Sequence, residues 1–318
     1  MSRSTRVHAL LVLAWVSPAL HTHAQAGTSA AQLPSYTLAV PVDEVGLTFH
    51  ASDAHGLPVN NLKLDELALF DNGKPPHRIL DFYALRDHPI RAGILIDTSE
   101  SMQPALKESR AIALRYAQQL LRQSTDQAFV MDFGYSAKVI QPWTGEPPAL
   151  AAGIARVQAG RENPLPGTAI FNTLYRTCLA QFDDADHAAT GNFILLFSDG
   201  EDNAGQTTLE NVVTACQHTN TAIYAFRAEP STELFSSGPK ALAELASQTG
   251  GRVFVASGTD AEIDNDLRTI EADLRNQYRL VYKPAELRHD GSFHRIELRA
   301  PARVDSIVIR SGYYAPVR

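Results

Sequence analysis

The chain has 318 residues, 28 of them Lys or Arg and 35 Asp or Glu, for a formal net charge of −7. Apolar residues make up 44% and charged residues 20%, a soluble globular balance, and 19 Gly and 18 Pro are too few for collagen-like or low-complexity chain. The length allows about two domains. An acidic balance with no Lys/Arg run argues against nucleic acid as a partner, and two cysteines are too few for a disulfide scaffold or a Cys-rich zinc site.

Residues 1–26 read as a cleaved secretory signal. Arg3 and Arg6 give a positive start, residues 9–15 are apolar, Pro18 breaks the run, and Ala24-Gln25-Ala26 fits a small-residue cleavage site. The apolar run is too short to cross a bilayer, and a retained N-terminal anchor is the alternative. The expectation is a secreted, periplasmic or cell-envelope protein with no membrane span in its mature chain. Export places Cys178 and Cys216 in a compartment that permits disulfides. Both fall on expected helices, and the sequence leaves open a pair or two separate buried thiols.

Residues 27–35 are small and polar and read as a linker. From 36 the pattern is β, with strands expected at 45–50, 67–70 and 77–83. Asp71-Asn72-Gly73 between the last two is a turn signal with the look of a hairpin. From 91 the period changes. Continuous apolar runs at 93–96 and 192–197 read as strands buried on both faces. Shorter strands are expected at 128–131, 222–226 and 252–255, with an edge strand at 138–140. Between them the pattern predicts helices at 103–122, 147–158, 168–182, 207–218, 239–248 and 260–276. This alternation predicts an α/β fold, a doubly wound, mostly parallel sheet with helices on both faces. After 276 the chain turns β again at 278–282, 293–298 and 304–309, with a turn at Asp290-Gly291. Neither flank has enough strands to stand alone. Residues 36–90 and 276–318 are therefore expected to be two halves of one small β-sandwich-like domain, into which the unit at 91–275 is inserted. Two unrelated β extensions are the alternative.

The chemistry-bearing residues fall at the carboxyl ends of strands. Asp97-Thr98-Ser99-Glu100-Ser101 follows the first buried strand, Thr168 leads into a helix, and Asp199-Gly200 ends the second buried strand. Singly, each fragment is more often a helix cap or a turn. In an open parallel sheet, however, such loops line one crevice. Two carboxylates and three hydroxyls there make an all-oxygen site for a hard cation, Mg²⁺, Ca²⁺ or Mn²⁺ rather than zinc. Glu201 and Asp202 read as solvated loop residues, and Asp183, Asp184 and Asp186 as a solvated acidic face.

On these residues, 91–275 resembles a von Willebrand factor A domain, the module also found as the integrin I domain. Its metal-ion-dependent adhesion site is Asp-x-Ser-x-Ser, then a Thr, then an Asp, and Asp97, Ser99, Ser101, Thr168 and Asp199 match it without a departure. The flanking stretches at 67–75, 277–284 and 310–316 are similar to a bacterial VWFA-related family of exported proteins. The resemblance implies a divalent cation with an outward-facing open position, bridging to an Asp or Glu of a protein partner. It also implies that the last helix, which runs into the strand at 278 without a linker, relays ligand state to the β domain.

The leading expectation is thus a non-enzymatic, exported adhesion or protein-binding module. An assembly factor using the same site within a cell-envelope complex is a second reading. A divalent-metal hydrolase or phosphotransfer enzyme is a third, resting on an exposed hard cation. Against it, no positioned His or Lys base is evident, and the chain has no H-E-x-x-H, G-x-S-x-G, G-x-x-x-x-G-K or G-x-G-x-x-G motif.

Overall fold

The computed structural model describes residues 44–86, 88–119, 121, 125–159, 167–183, 191–228 and 236–317. The expected signal at 1–26, the linker at 27–35, and Asp184 and Asp186 lie outside the described residues.

The chain enters through strands β1 (Val45–Ser52), β2 (Ala68–Asp71) and β3 (Arg78–Arg86). The α/β unit comes next as β4 (Ile90–Asp97), α1 (Leu106–Gln119), β5 (Gln127–Phe133), β6 (Ala137–Thr144), α2 (Pro147–Arg156), α3 (Ile170–Gln181) and β7 (Gly191–Ser198). It continues through α4 (Leu209–His218), β8 (Thr221–Arg227), α5 (Gly238–Thr249), β9 (Val253–Val255) and α6 (Asp260–Arg275). Strands β10 (Asn276–Lys283), β11 (Phe293–Arg299), β12 (Ser306–Ile309) and β13 (Gly312–Tyr314) close the chain.

Six strands form one sheet in the order β6-β5-β4-β7-β8-β9. All neighbours are parallel except β5 and β6, so the expected edge strand is longer than 138–140 and antiparallel. Every residue of β4 and β7 is buried. Their side chains alternate between two cores, as the strand period of two requires. Ile94, Ile96, Phe193, Leu195 and Phe197 pack with α1, α2 and α6 on one face. Leu95, Ile194 and Leu196 pack with α3, α4 and α5 on the other. This is a doubly wound α/β sheet. Cys178 of α3 and Cys216 of α4 are joined by a disulfide with Cα atoms 5.1 Å apart, which resolves the two open readings in favour of the pair.

The flanking strands form two smaller sheets, β12-β1-β10-β3 and β13-β11-β2. β1 pairs antiparallel with β10, with Leu47 opposite Leu280, and β2 pairs antiparallel with β11, with Leu69 opposite Leu298. Leu47, Phe49, Tyr278, Leu280 and Tyr282 meet Leu69, Ile296 and Tyr313 in one shared core.

The hairpin look of Asp71-Asn72-Gly73 is misleading. The turn forms, with Asn72 at φ 49° and Gly73 at φ 76° and Lys74 N–H donating to the Asp71 carbonyl at 3.0 Å. The strands on either side nevertheless enter different sheets. Pro75 and Pro76 come directly after the turn and lack the N–H groups that would extend a ladder back along β2. β10 and β11, on either side of Asp290-Gly291, likewise enter different sheets.

Candidate metal centre

In the sheet order, β5 lies to one side of β4 and β7 to the other, so the winding reverses between β4 and β7. A crevice at that switch point, outside the carboxyl ends of the strands, is where an open α/β sheet presents ligand-binding loops. Asp97 is the last residue of β4, and Asp199 comes directly after the last residue of β7. Ile96 pairs with Phe197, so the register brings Asp97 beside Ser198. The Ser198 hydroxyl donates to Asp97 Oδ2 at 2.8 Å.

The first loop turns away immediately. Ser99 N–H donates to Asp97 Oδ1 at 2.9 Å, and a short 3-10 turn at Glu100–Met102 buries Met102 beneath it. Thr98 donates to the Phe133 carbonyl through its N–H at 2.7 Å and its hydroxyl at 2.9 Å, which pins this loop to the end of β5. The hydroxyls of Ser99 and Ser101 come within 3.3 Å of each other. Exposure rises outward across the set: Asp97 is 0% exposed, Thr168 3% and Asp199 5%, whereas Ser99 is half-buried and Ser101 exposed.

The Asp199 loop is built on Gly200, at φ 89°, where a Cβ would run into the Gly238 carbonyl. Gly200 N–H donates to the Ser198 hydroxyl at 3.0 Å, and Glu201 N–H to Asp199 Oδ1 at 3.0 Å. Thr168 is tied to the same loop. Its N–H donates to Asn203 Oδ1 at 2.7 Å, and its carbonyl accepts from Asn203 and Ala204 N–H at 3.0 Å each.

Two neighbours read from sequence as solvated loop residues are structural. Glu201 accepts hydrogen bonds from Ser236, Ser237 and, at 2.7 Å, the Gly238 N–H that opens α5. Asp202 accepts from Phe171 N–H at 3.1 Å, in the first turn of α3. Both place a carboxylate at the positive end of a helix. Asn203 and these two acids are the supporting residues that sequence reasoning missed. Their partners are distant in the chain, and only the run Glu201-Asp202-Asn203 after Asp199-Gly200 marked them.

Burial pushes the Asp97 carboxyl up to about 6, although hydrogen bonds from Ser99 and Ser198 pull the other way, and the charge of Asp199 adds to the rise. Among the described residues no Lys, Arg or His side chain pairs with Asp97 or Asp199, and no group of three or more His, Cys, Asp and Glu is placed to hold a metal. Two adjacent, buried, cation-free carboxyl groups with hydroxyls above them fit a hard divalent ion, whose charge would offset both the burial cost and the mutual repulsion.

Residues 93–201 match the family model for the von Willebrand factor type A domain, and the chain carries that domain. No curated protein matches the chain by sequence. Among solved structures, the conserved hypothetical protein BatB from Bacteroides thetaiotaomicron is similar at 14% identity and a TM-score of 0.47, over 57% of this chain and 97% of that one. Proximal thread matrix protein 1 from the mussel byssus, with a zinc-occupied MIDAS motif, is similar at 14% identity and a TM-score of 0.49, over 64% of this chain and 50% of its own. A von Willebrand factor type A protein from Catenulispora acidiphila is similar at 15% identity and a TM-score of 0.44, over 80% and 75% of the two chains.

Proposed function

We propose that this von Willebrand factor A domain protein is an exported, metal-ion-dependent protein-binding module in which Asp97, Ser99, Ser101, Thr168 and Asp199 hold a Mg²⁺, Ca²⁺ or Mn²⁺ ion. The observation that carries the reading is the pair of buried carboxyl groups at the β4–β7 switch point, adjacent and, among the described residues, with no cationic side chain bonded to either. Asp97 supplies charge at the floor, Ser99 and Ser101 supply neutral oxygens toward the surface, and Thr168 and Asp199 complete the set from two further loops. When bound, the ion supplies Lewis-acid attraction for an anionic oxygen. A hard divalent ion takes about six or more oxygens. Five residues leave room for one more, and the exposure of Ser101 supports an outward-facing position for it. An Asp or Glu of a partner protein is the chemistry that fills it. Nothing in this arrangement calls for a reaction step. The charged start and apolar run at 1–26 support export to the cell envelope or beyond, either as an adhesin or as an assembly factor within an envelope complex.

The test is calorimetric titration of Mg²⁺ and Ca²⁺ into the chelated protein, beside a pull-down from cell-envelope extract with and without EDTA. Binding of one ion per chain, lost in Asp97→Ala and Ser99→Ala, together with a partner released by EDTA, is the expected result. A partner retained equally in EDTA and by Ser99→Ala would place the binding surface elsewhere.

A further inference from the structure

A groove of about 450 Å³ runs between α3 and the β5–β6 edge of the sheet, lined by Met131, Tyr135, Ala137, Thr173, Arg176 and Thr177. Its upper end reaches Ala169, the residue after Thr168, and Ala204, whose N–H donates to the Thr168 carbonyl at 3.0 Å. One end of the groove therefore lies beside the Thr168 loop of the candidate metal centre. Arg176 stands exposed on α3 and makes no hydrogen bond or ion pair among the described residues.

We propose that this groove sets the partner's sequence: it holds an extended segment in which the metal-coordinating carboxylate is accompanied by a second Asp or Glu three positions away, paired with Arg176. The inference rests on the metal-bridge reading given above and adds the partner's motif to it. The spacing comes from the geometry of the two elements. Ala169 and Arg176 are seven positions apart, which is about 10 Å along a helix at 1.5 Å per residue. An extended peptide covers about 3.3 Å per residue, so three residues span that distance. The two intervening side chains are expected to be small or aliphatic, because Met131 and Ala137 are among the residues that line the groove.

Charge selects the same occupant. The chain is net −7, so an acidic segment is repelled over most of its surface. It is favoured where positive charge stands, and beside this groove the ion and the Arg176 guanidinium, which makes no hydrogen bond or ion pair among the described residues, supply it. The guanidinium also offers a fork geometry matched to a carboxylate. A segment with one acid would use the ion alone.

The probes are two fluorescein-labelled hexapeptides, Gly-Asp-Ala-Ala-Asp-Gly and Gly-Asp-Ala-Ala-Asn-Gly, read by fluorescence anisotropy on the whole chain in saturating Mg²⁺. The diacid should bind about fivefold more tightly, the upper end for one exposed ion pair. Arg176→Ala should erase the difference by weakening only the diacid, and Arg176→Lys should restore part of it. Diacids with one or with four intervening residues should lose the preference. Equal binding of both peptides by the wild type in Mg²⁺ would overturn the groove proposal while leaving the metal bridge standing. A preference that survives Arg176→Ala would overturn it too. Failure of both peptides to bind in Mg²⁺ would also overturn it, and the Mg²⁺ titration of the unliganded protein decides separately whether the metal-bridge reading falls with it.

Discussion

Chelated protein should lose stability as pH rises from about 4 to about 6, and Asp97→Asn should remove that loss. Asp97 has no exposed surface, and burial lifts its carboxyl from 3.8 to about 6 against the pull of the Ser99 and Ser198 hydrogen bonds. A carboxyl whose folded value lies above its unfolded value stabilises the fold only while protonated. Its contribution is full below the unfolded value and gone once pH passes the folded one. At 1.36 kcal/mol per pH step, the gap from 3.8 to about 6 is worth about 3 kcal/mol. Asn stays neutral and keeps one oxygen for the Ser99 N–H, while the Ser198 hydroxyl can turn to accept from its amide. Urea unfolding in EDTA across this range should therefore show the Asn variant gaining on the wild type by about 3 kcal/mol. Adding Mg²⁺ at pH 7.5 should reverse the order, because the ion binds more tightly to, and so stabilises more, the chain that offers it both carboxylates, Asp97 and Asp199. Parallel pH profiles for the two chains in EDTA would refute the reasoning.

Asn203→Ala should cut Mg²⁺ affinity about tenfold in calorimetric titration without removing a ligand, since the Asn203 side chain fixes the Thr168 loop at 2.7 Å. Reducing the Cys178–Cys216 disulfide, which closes a loop of sequence separation 38, should lower unfolding stability by about 4 kcal/mol, read as the urea midpoint with and without reductant. Asp126→Ala should cost about 3 kcal/mol or more, measured the same way. It strips the partner at 2.6 Å from Arg275 and leaves a buried guanidinium short of its counter-charge.

The α/β unit was legible because its signals are local. A continuous apolar run such as 93–96 or 192–197 has no polar face to turn outward, so it reads as a doubly covered strand, and the residues just past its carboxyl end face the crevice. The placement of Asp97 and Asp199 at adjacent strand ends comes from that alone. Pairing was not legible in the same way. Asn72-Gly73 encodes the dihedral angles of a turn, not the partner of the strand that leaves it, and β2 finds β11 across more than two hundred residues. β13 escaped as a strand because three residues, Gly312–Tyr314, carry no readable period. Glu201 escaped as a cap because the N–H it accepts from belongs to Gly238, 37 positions on. A carboxylate that closes a tertiary contact looks, in sequence, like any solvated acid.

The two ends of α6 bear unequally on whether ligand state reaches the β strands. Strand β9 ends on the metal side of the sheet, so α6 starts there and descends to β10. Near its start, Asp260 and Asp264 pair with Arg115 of α1 at 2.7 and 3.0 Å, in solvent-facing contacts that water and salt screen and that therefore hold the helix weakly. At its far end the ties are buried or half-buried. Arg275 meets Asp126 at 2.6 Å, Arg252 meets Asp273 at 2.7 Å, and His50 of β1 reaches the Asn276 carbonyl at 2.9 Å. Breaking one buried pair costs about 3–5 kcal/mol. A displacement driven from the metal side is therefore cheap over the first turns and costly at the last. Asn276 is both the C-cap of α6 and the first residue of β10, so no flexible residue lies between them to absorb a shift. The helix either frays near the site and leaves the β strands untouched, or it carries β10 and its partner β1 with it as one piece. A ligand can enforce the second outcome only if it binds that arrangement better by more than the cost of a buried pair.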